Sequence, residues 1–284
     1  MRIGFVTQLL WDRYGAFWHH LFEEIGAEVA VPDSESVPGF LDDSRVTSVP
    51  GLAFQLAVAQ ALTLQECDLL VVPSLNAGSE SRRGGGQDPW VSDFPGALGT
   101  LRGIPPVLGV PAWLAAGQET LVVESLQQIV RDATRVRRVW DRHRSRLRHE
   151  PLSDPGWGTA AGRKTVGVLG QPWLLNDDLA SRVAPAEARV IGQHKIDPFR
   201  LREEGSRLDP RMIPTDQEAL GAARLFSRRG TVSELHLIID VTSGSDLWLQ
   251  DRITKHAGKP LVVHSLQEII TDGSFELLAK GNGM

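Results

Sequence analysis

Short apolar runs alternate with amphipathic segments along the chain. Residues 2–7 (RIGFVT) form an apolar run that ends in a polar loop, as a buried parallel strand does. Apolar residues then recur at helical spacing from Phe17 to Ile25, and Gly26 stands where a helix commonly ends. Residues 28–31 (EVAV) form the next apolar run. This part of the chain therefore predicts a strand–helix–strand unit with a right-handed parallel crossover.

The same alternation continues through both halves of the chain. Further strands are predicted at residues 68–73, 106–110, 164–169, 188–191, 235–240 and 260–263. Helices are predicted at residues 52–65, 118–148, 218–228, 247–257 and 266–278, and the glycine-bearing residues 76–95 are predicted to be a loop. The pattern predicts an α/β protein of two tandem Rossmann-like domains with parallel sheets, bridged by a long helix. The predicted parts are an N-terminal α/β domain (1–117), a basic bridging helix and linker (118–162) and a C-terminal α/β domain (163–284).

Composition narrows the class of protein. The chain has 284 residues, more than one core usually organises, and a formal net charge of −5, which argues against a general nucleic-acid coat. Its one cysteine, Cys67, excludes an intramolecular disulfide and a cysteine-ligated cluster within one chain. The longest apolar stretches, such as residues 235–239, are too short to span a membrane, and the N-terminus lacks signal-peptide features. We therefore expect a cytoplasmic protein without a membrane partner; homo-oligomerisation stays open.

Five segments carry a resemblance to a known family. Residues 3–32 combine a strand, an aromatic-bearing loop and a Gly-x-Glu-Val turn, and residues 166–177 (VGVLGQPWLLND) form a Gly-x-Pro loop that ends in aspartate. The others are residues 88–95 (DPWVSDFP), 243–246 (SGSD) and 259–261 (KPL). In this order they resemble the domain of activase-type proteins in the 2-hydroxyacyl-CoA dehydratase system. The resemblance implies two α/β halves around a cleft and, in the family, an iron–sulfur cluster held by cysteines.

The chain departs from that family at the cluster. Val49, Ser74, Asp88 and Ser243 stand where the resemblance places cysteines, and none of them supplies the thiolate that a cluster needs. The nucleotide-binding GxxxxGK[ST] motif is also missing. The sequence thus predicts a cluster-less relative that needs no cofactor, carries out no redox chemistry and binds a small anionic ligand, acyl-CoA among the candidates. Whether it catalyses a reaction stays open.

Polar residues that follow predicted strands are the candidate ligand contacts. Ligands of parallel α/β folds bind beyond the carboxyl ends of the strands, often between domains. The predicted ligand-binding residues are Gln8, Trp11, Asp12, Ser74, Asn76, Asp88, Gln171, Asp177, Ser243, Ser245 and Asp246. The competing interpretation is that the serines and aspartates among them cap helices.

Two further groups of residues give weaker indications of function, one of a metal site and one of a hydrolytic triad. His19, His20, Glu23 and Glu24 lie on one predicted helix, but without a further ligand cluster we interpret them as a solvated face and predict no metal site. A hydrolytic triad of Ser243, His264 and Asp240 is conceivable, although no GxSxG motif accompanies it.

The segment 131–148 supports an alternative function. It contains arginine at positions 131, 135, 137, 138, 142, 144, 146 and 148 and few acids. A scaffold or regulatory protein could bind nucleic acid or another polyanion through Arg135, Arg138, Arg142 and Arg146. The alternative interpretation is an exposed basic face that pairs with acidic surface. The loop 81–87 (SRRGGGQ) has phosphate-cradling residue types but lacks the strand–loop–helix context of a specific motif.

Overall fold

Two four-stranded parallel sheets form the frame of the protein. The computed structural model describes residues 1–115, 118–147, 151–157, 164–270 and Leu278. The strands are β1 (Arg2–Phe5), β2 (Glu28–Ala30), β3 (Leu69–Ser74), β4 (Val107–Pro111), β5 (Thr165–Gly170), β6 (Arg189–Gly192), β7 (Val232–Ile239) and β8 (Leu261–Ser265). The sheet orders are β2–β1–β3–β4 and β6–β5–β7–β8, and all neighbouring strands are parallel. The predicted fold class, with two Rossmann-like halves, is confirmed.

Helices connect the strands in both halves. They are α1 (Trp11–Glu24), α2 (Ser44–Thr47), α3 (Leu52–Thr63), α4 (Pro89–Ser92), α5 (Phe94–Gly99), α6 (Glu119–Ile129), α7 (Ala133–His143), α8 (Asp177–Val183), α9 (Pro198–Ser206), α10 (Pro214–Ser227), α11 (Gly244–His256) and α12 (Leu266–Ile269). Among the described residues, no helix combines the length and apolar character needed to cross a bilayer.

The bridging segment differs in detail from the single helix that the sequence predicts. It forms two helices, α6 and α7, because the chain becomes extended at Val130 and Asp132 then starts a new helix. The Asp132 carboxylate accepts hydrogen bonds from the backbone N–H groups of Thr134 (2.9 Å) and Arg135 (3.1 Å), which is strong N-capping. Arg148 and most of the helix predicted at residues 266–278 beyond α12 lie outside the described residues.

The predicted loop at residues 76–95 also contains helical turns. Asp88 caps α4 by accepting from the N–H of Trp90, and Asp93 caps α5 by accepting from the N–H of Gly96. Pro89 and Pro95 occupy the first turn of these helices, where proline is tolerated because its missing N–H has no intrahelical partner. Local capping therefore orders part of a segment whose composition suggested a loop.

The two domains share a hydrophobic core. On β5, Val168 belongs to the core cluster of the first domain, whereas Leu169 belongs to a cluster confined to the second. Ile238 on β7 also faces the shared cluster, as expected when side chains alternate between the faces of a strand. Across the interface the rings of Phe54 and Trp173 meet edge to face at 5.4 Å. This shared core fixes the strand ends of both sheets around one cleft.

Candidate functional site

A cavity of about 450 Å³ opens between the domains. It is lined by residues 7–13 after β1, Trp113 and Leu114 after β4, residues 172–173 and 175–177 after β5, and His194 and Lys195 after β6. Arg146, from the turn after α7, also lines the cavity. The cavity thus lies at the carboxyl ends of strands from both sheets, where ligands of such folds bind.

The β1–α1 loop brings unpaired backbone donors to this cavity. Leu9 and Leu10 have positive φ angles of 60° and 71°, a conformation that costs a non-glycine residue about 1–2 kcal/mol. No side chain caps the N-terminus of α1. Within the part of the chain that the structure describes, the N–H groups of Leu9, Leu10 and Trp11 donate to no acceptor. The loop therefore presents free N–H groups at the positive end of a 14-residue helix, which favours an anion.

Cationic side chains add to this positive field. Arg146 is exposed, and within the described ranges it makes no ion pair. Lys195 Nζ lies 2.6 Å from one oxygen of Asp177, and His194 Nε2 lies 2.9 Å from the other. These hydrogen bonds, first from Lys195 and then from His194, lower the pKa of Asp177, whereas burial lowers the pKa of His194. Arg146 is thus the cation best placed to meet a ligand.

Aromatic side chains form much of the remaining wall. Trp11, Trp113, Trp173 and Phe199 all line the cavity. The guanidinium of Arg202 lies 4.3 Å from the centre of the Trp113 ring, which fixes that indole by a cation–π contact. Besides these apolar walls, the cavity has three cations (Arg13, Arg146 and Lys195) and two carboxylates (Asp12 and Asp177), and this combination suits an anion that carries an apolar body.

Four of the eleven sequence-predicted ligand residues line the cavity, and seven do not. Gln8, Trp11, Asp12 and Asp177 line the cavity. The residues that do not line it are Ser74, Asn76, Asp88, Gln171, Ser243, Ser245 and Asp246. Asp88 is the cap of α4 already described.

Asn76 and Gln171 take part in buried hydrogen bonds between the domains. The Asn76 side-chain oxygen accepts from the backbone N–H (3.1 Å) and hydroxyl (3.2 Å) of Thr215. Gln171 donates to the carboxylate of Asp216 (2.8 Å), whose other oxygen accepts from the N–H of Gly85 (3.0 Å). Burial raises the pKa of Asp216 to about 6. These polar groups hold the 84–87 turn of the first domain against α10.

Ser243, Ser245 and Asp246 form a second buried group at the start of α11. The hydroxyls of Ser243 and Ser245 lie 2.8 Å apart, and Ser243 Oγ donates to Asp246 and caps the helix. Burial, and next the neighbouring Asp240 carboxylate, raise the pKa of Asp246 to about 7. Asp240 accepts from the N–H of Leu52 at 2.5 Å, across the domain interface. The Asp240 N–H also donates to Asp246 at 2.9 Å, so Asp240 links this buried group to the start of α3.

The other sequence candidates lie apart from the cavity. His264 hydrogen-bonds His236 (2.9 Å), whereas the Ser243 hydroxyl bonds Ser245 and Asp246, so the described contacts do not assemble the conceivable triad. His19, His20 and Glu23 each place one ligand atom within 4.8 Å of the others on α1.

Three of the four arginines predicted to bind a polyanion, Arg135, Arg138 and Arg142, lie on α7 at helical spacing, and Arg146 lies in the turn that follows. Arg146 lines the cavity, and Arg142 pairs with Glu24 beside His143. Arg135 and Arg138 are exposed on α7, and neither forms an ion pair among the described residues.

Sequence reasoning missed His194 and Lys195. They lie two and three residues beyond the end of β6, so the strand-end rule that selected Gln8 and Asp177 would have found them if it had been applied to every strand.

No family model, curated protein or solved structure matches this chain. The fold and the cavity define the protein as a parallel α/β protein with two sheets and a cavity between them. The resemblance to the dehydratase-type family stays a prediction.

Proposed function

We propose that this protein binds a small anionic organic molecule in the interdomain cavity. One observation carries the proposal: a cavity of about 450 Å³ joins the strand ends of both sheets and has Arg146 and the free N–H groups of Leu9–Trp11 on its wall. The volume falls within the range of about 300–1,000 Å³ that is usual for metabolite-sized ligands.

The wall chemistry suggests how such a ligand is oriented. Its acidic group meets the Arg146 guanidinium and the N-terminus of α1, because charge-assisted hydrogen bonds are the strongest polar contacts available there. Its apolar part packs between Trp11, Trp113 and Trp173. An organic carboxylate and the acyl end of an acyl-CoA both fit this description.

The proposal includes binding without redox chemistry, as a divergent relative of the dehydratase/activase family. Ser74, Asp88 and Ser243 offer oxygen atoms where the resemblance expects thiolates, and Asp88 and Ser243 already cap helices. Anaerobic purification followed by iron and sulfide analysis tests this part. A brown protein with about four irons per chain would overturn it.

Ligand titrations monitored by tryptophan fluorescence test the binding itself. A panel of aliphatic and aromatic carboxylates and short acyl-CoAs should contain compounds that change the emission saturably, since three tryptophans line the cavity. Arg146→Ala should weaken binding about tenfold or more through loss of a charge-assisted hydrogen bond. Arg137→Ala removes an exposed arginine of α7 that does not line the cavity and is the matched control. Equal affinities for both variants would contradict the proposed site.

A second candidate function is polyanion binding by a regulatory or scaffold protein. The supporting observation is that Arg135, Arg137 and Arg138 are exposed on α7 and form no ion pair within the described residues. Binding to a nucleic-acid duplex should then weaken steeply with salt, because neutralised phosphates release counterions. Arg135→Ala/Arg138→Ala should reduce the salt dependence, with Arg182→Ala, an exposed arginine of α8, as the control. An absence of binding at low salt would remove this candidate.

A further inference from the structure

A second groove, separate from the cavity, lies between a loop of each domain. It has a volume of about 510 Å³ and is lined by residues 79–83 of the first domain and residues 210–212 of the second. The two sides are joined by the Ser81 hydroxyl, which donates to the carbonyl oxygen of Arg211 at 2.5 Å. The adjoining turn is anchored where the N–H of Gly85 donates to the buried Asp216 at 3.0 Å. The groove is therefore preformed by contacts from both domains.

Arginine guanidinium groups outnumber carboxylates in and beneath this groove. Asp209, whose side chain is 4% exposed, is approached by Arg83 Nη1 (3.3 Å), Arg252 Nη2 (3.3 Å) and Arg211 Nε (3.6 Å). Sharing one carboxylate leaves most of their N–H donors uncommitted, since a guanidinium carries five. Arg252 Nε is buried without a partner among the described residues.

The local charge balance decides which kind of anion the groove can match. Arg82 lines the groove, and among the described residues its guanidinium donates one hydrogen bond, to the carbonyl oxygen of Ser81 at 3.4 Å. Three arginines (82, 83 and 211) and one carboxylate (Glu80) line the groove, and beside them Arg252 pairs with Asp209, so the surplus is two positive charges. The chain as a whole has a net charge of −5, so this surplus is local. A phosphoryl group carries about −1.5 to −2 at neutral pH and matches it, whereas one carboxylate does not.

We propose that this groove binds the phosphoryl group of a small phosphorylated metabolite. Arg82 and Arg211, one from each domain, donate to its oxygens, and Arg83 adds a third guanidinium. The planar fork of arginine suits bidentate binding of phosphate. Because the arginines come from both domains, a bound phosphoryl group also ties the two loops together. This site is independent of the anionic ligand proposed for the cavity.

Isothermal titration calorimetry with inorganic phosphate, at constant ionic strength set with sodium chloride, tests the proposal. Wild-type protein should show saturable binding, and Arg82→Ala/Arg211→Ala should weaken it about tenfold or more. Arg82→Ala alone keeps every contact of Asp209 and should melt at the wild-type temperature in chloride while still losing phosphate affinity. Arg146→Ala alters only the cavity and should bind phosphate as the wild type does.

Two results would overturn the phosphate site. One is the absence of saturable phosphate binding to the wild-type protein. The other is a loss of phosphate binding in Arg146→Ala that the groove variants do not share, because the phosphate would then occupy the cavity.

Discussion

Arg13 of the first domain and Glu218 of the second form an ion pair across the interface, with Arg13 Nη1 2.9 Å from Glu218 Oε2. The Glu218 side chain is 0% exposed and also accepts from Arg202 Nε at 2.8 Å. Arg202 in turn stacks on Trp113 in the cavity wall. The Glu218 carboxylate thus contacts both Arg13, which joins the two domains, and Arg202, which positions Trp113 in the cavity wall.

Arg13→Ala should destabilise the protein by about 2–3 kcal/mol. The change removes one of two cations from a buried carboxylate, and a buried charge that loses a partner is costly; Arg202 remains and limits the loss. Urea denaturation measures the effect. Arg207→Ala, which removes exposed pairs with Glu203 and Glu204, is the control and should cost at most about 1 kcal/mol. Equal stabilities of the two variants would contradict a structural role for the Arg13–Glu218 pair.

Asp246→Asn should change how stability depends on pH. Burial raises the pKa of Asp246 from 3.8 to about 7, so between these values the folded chain holds a proton that the unfolded chain has released. The stabilisation from this group is therefore fully present below about pH 4 and is lost as pH rises through about 7. Asparagine resembles the protonated acid and does not titrate. The stability of the wild type relative to Asp246→Asn should fall from pH 5 to about pH 7 and level off above it.

Urea denaturation at a series of pH values measures this difference. Asp33→Asn is the control, because hydrogen bonds from Ser36 and Glu35 lower the pKa of the exposed Asp33. Asp33 is ionised in both the folded and unfolded states above pH 5, so its variant should follow the wild type at a constant offset. A constant offset for Asp246→Asn as well would show that Asp246 is ionised in the folded protein throughout this range.

The sequence predicted each strand that the structure describes, because each contains a short apolar run that can be read without knowledge of the rest of the fold. Helix α9 was missed because its sequence, PFRLREEGS, is mainly polar. Its position depends on α10: a Cβ atom added at Gly221 would lie 1.9 Å from the carbonyl oxygen of Leu201, so only glycine permits this approach. Such a contact joins distant parts of the chain and leaves no periodic signal.

The candidate site was predictable only to the level of strand ends. Gln8, Trp11, Asp12 and Asp177 follow strands and line the cavity. Ser243 and Asp246 satisfy the same rule, yet they are buried in the contact between α11 and its neighbours. The packing of the two domains against each other decides which strand ends face the cavity and which are buried at the interface. This packing depends on the shared hydrophobic core, which residues from distant parts of the chain form together.

Gly84→Ala should destabilise the domain interface by about 1–3 kcal/mol. Gly84 has a φ of +52°, and a Cβ atom there would lie 2.4 Å from the Trp248 ring and 2.7 Å from Asp216 Oδ2. Either the turn or the indole must move, so the change adds steric overlap to backbone strain. Gly39→Ala is the control, since a Cβ atom at Gly39 meets nothing within 4 Å and its φ is not positive. Thermal unfolding should show a lower midpoint for Gly84→Ala alone; equal midpoints would mean that the 84–87 turn is not packed against α11 in solution.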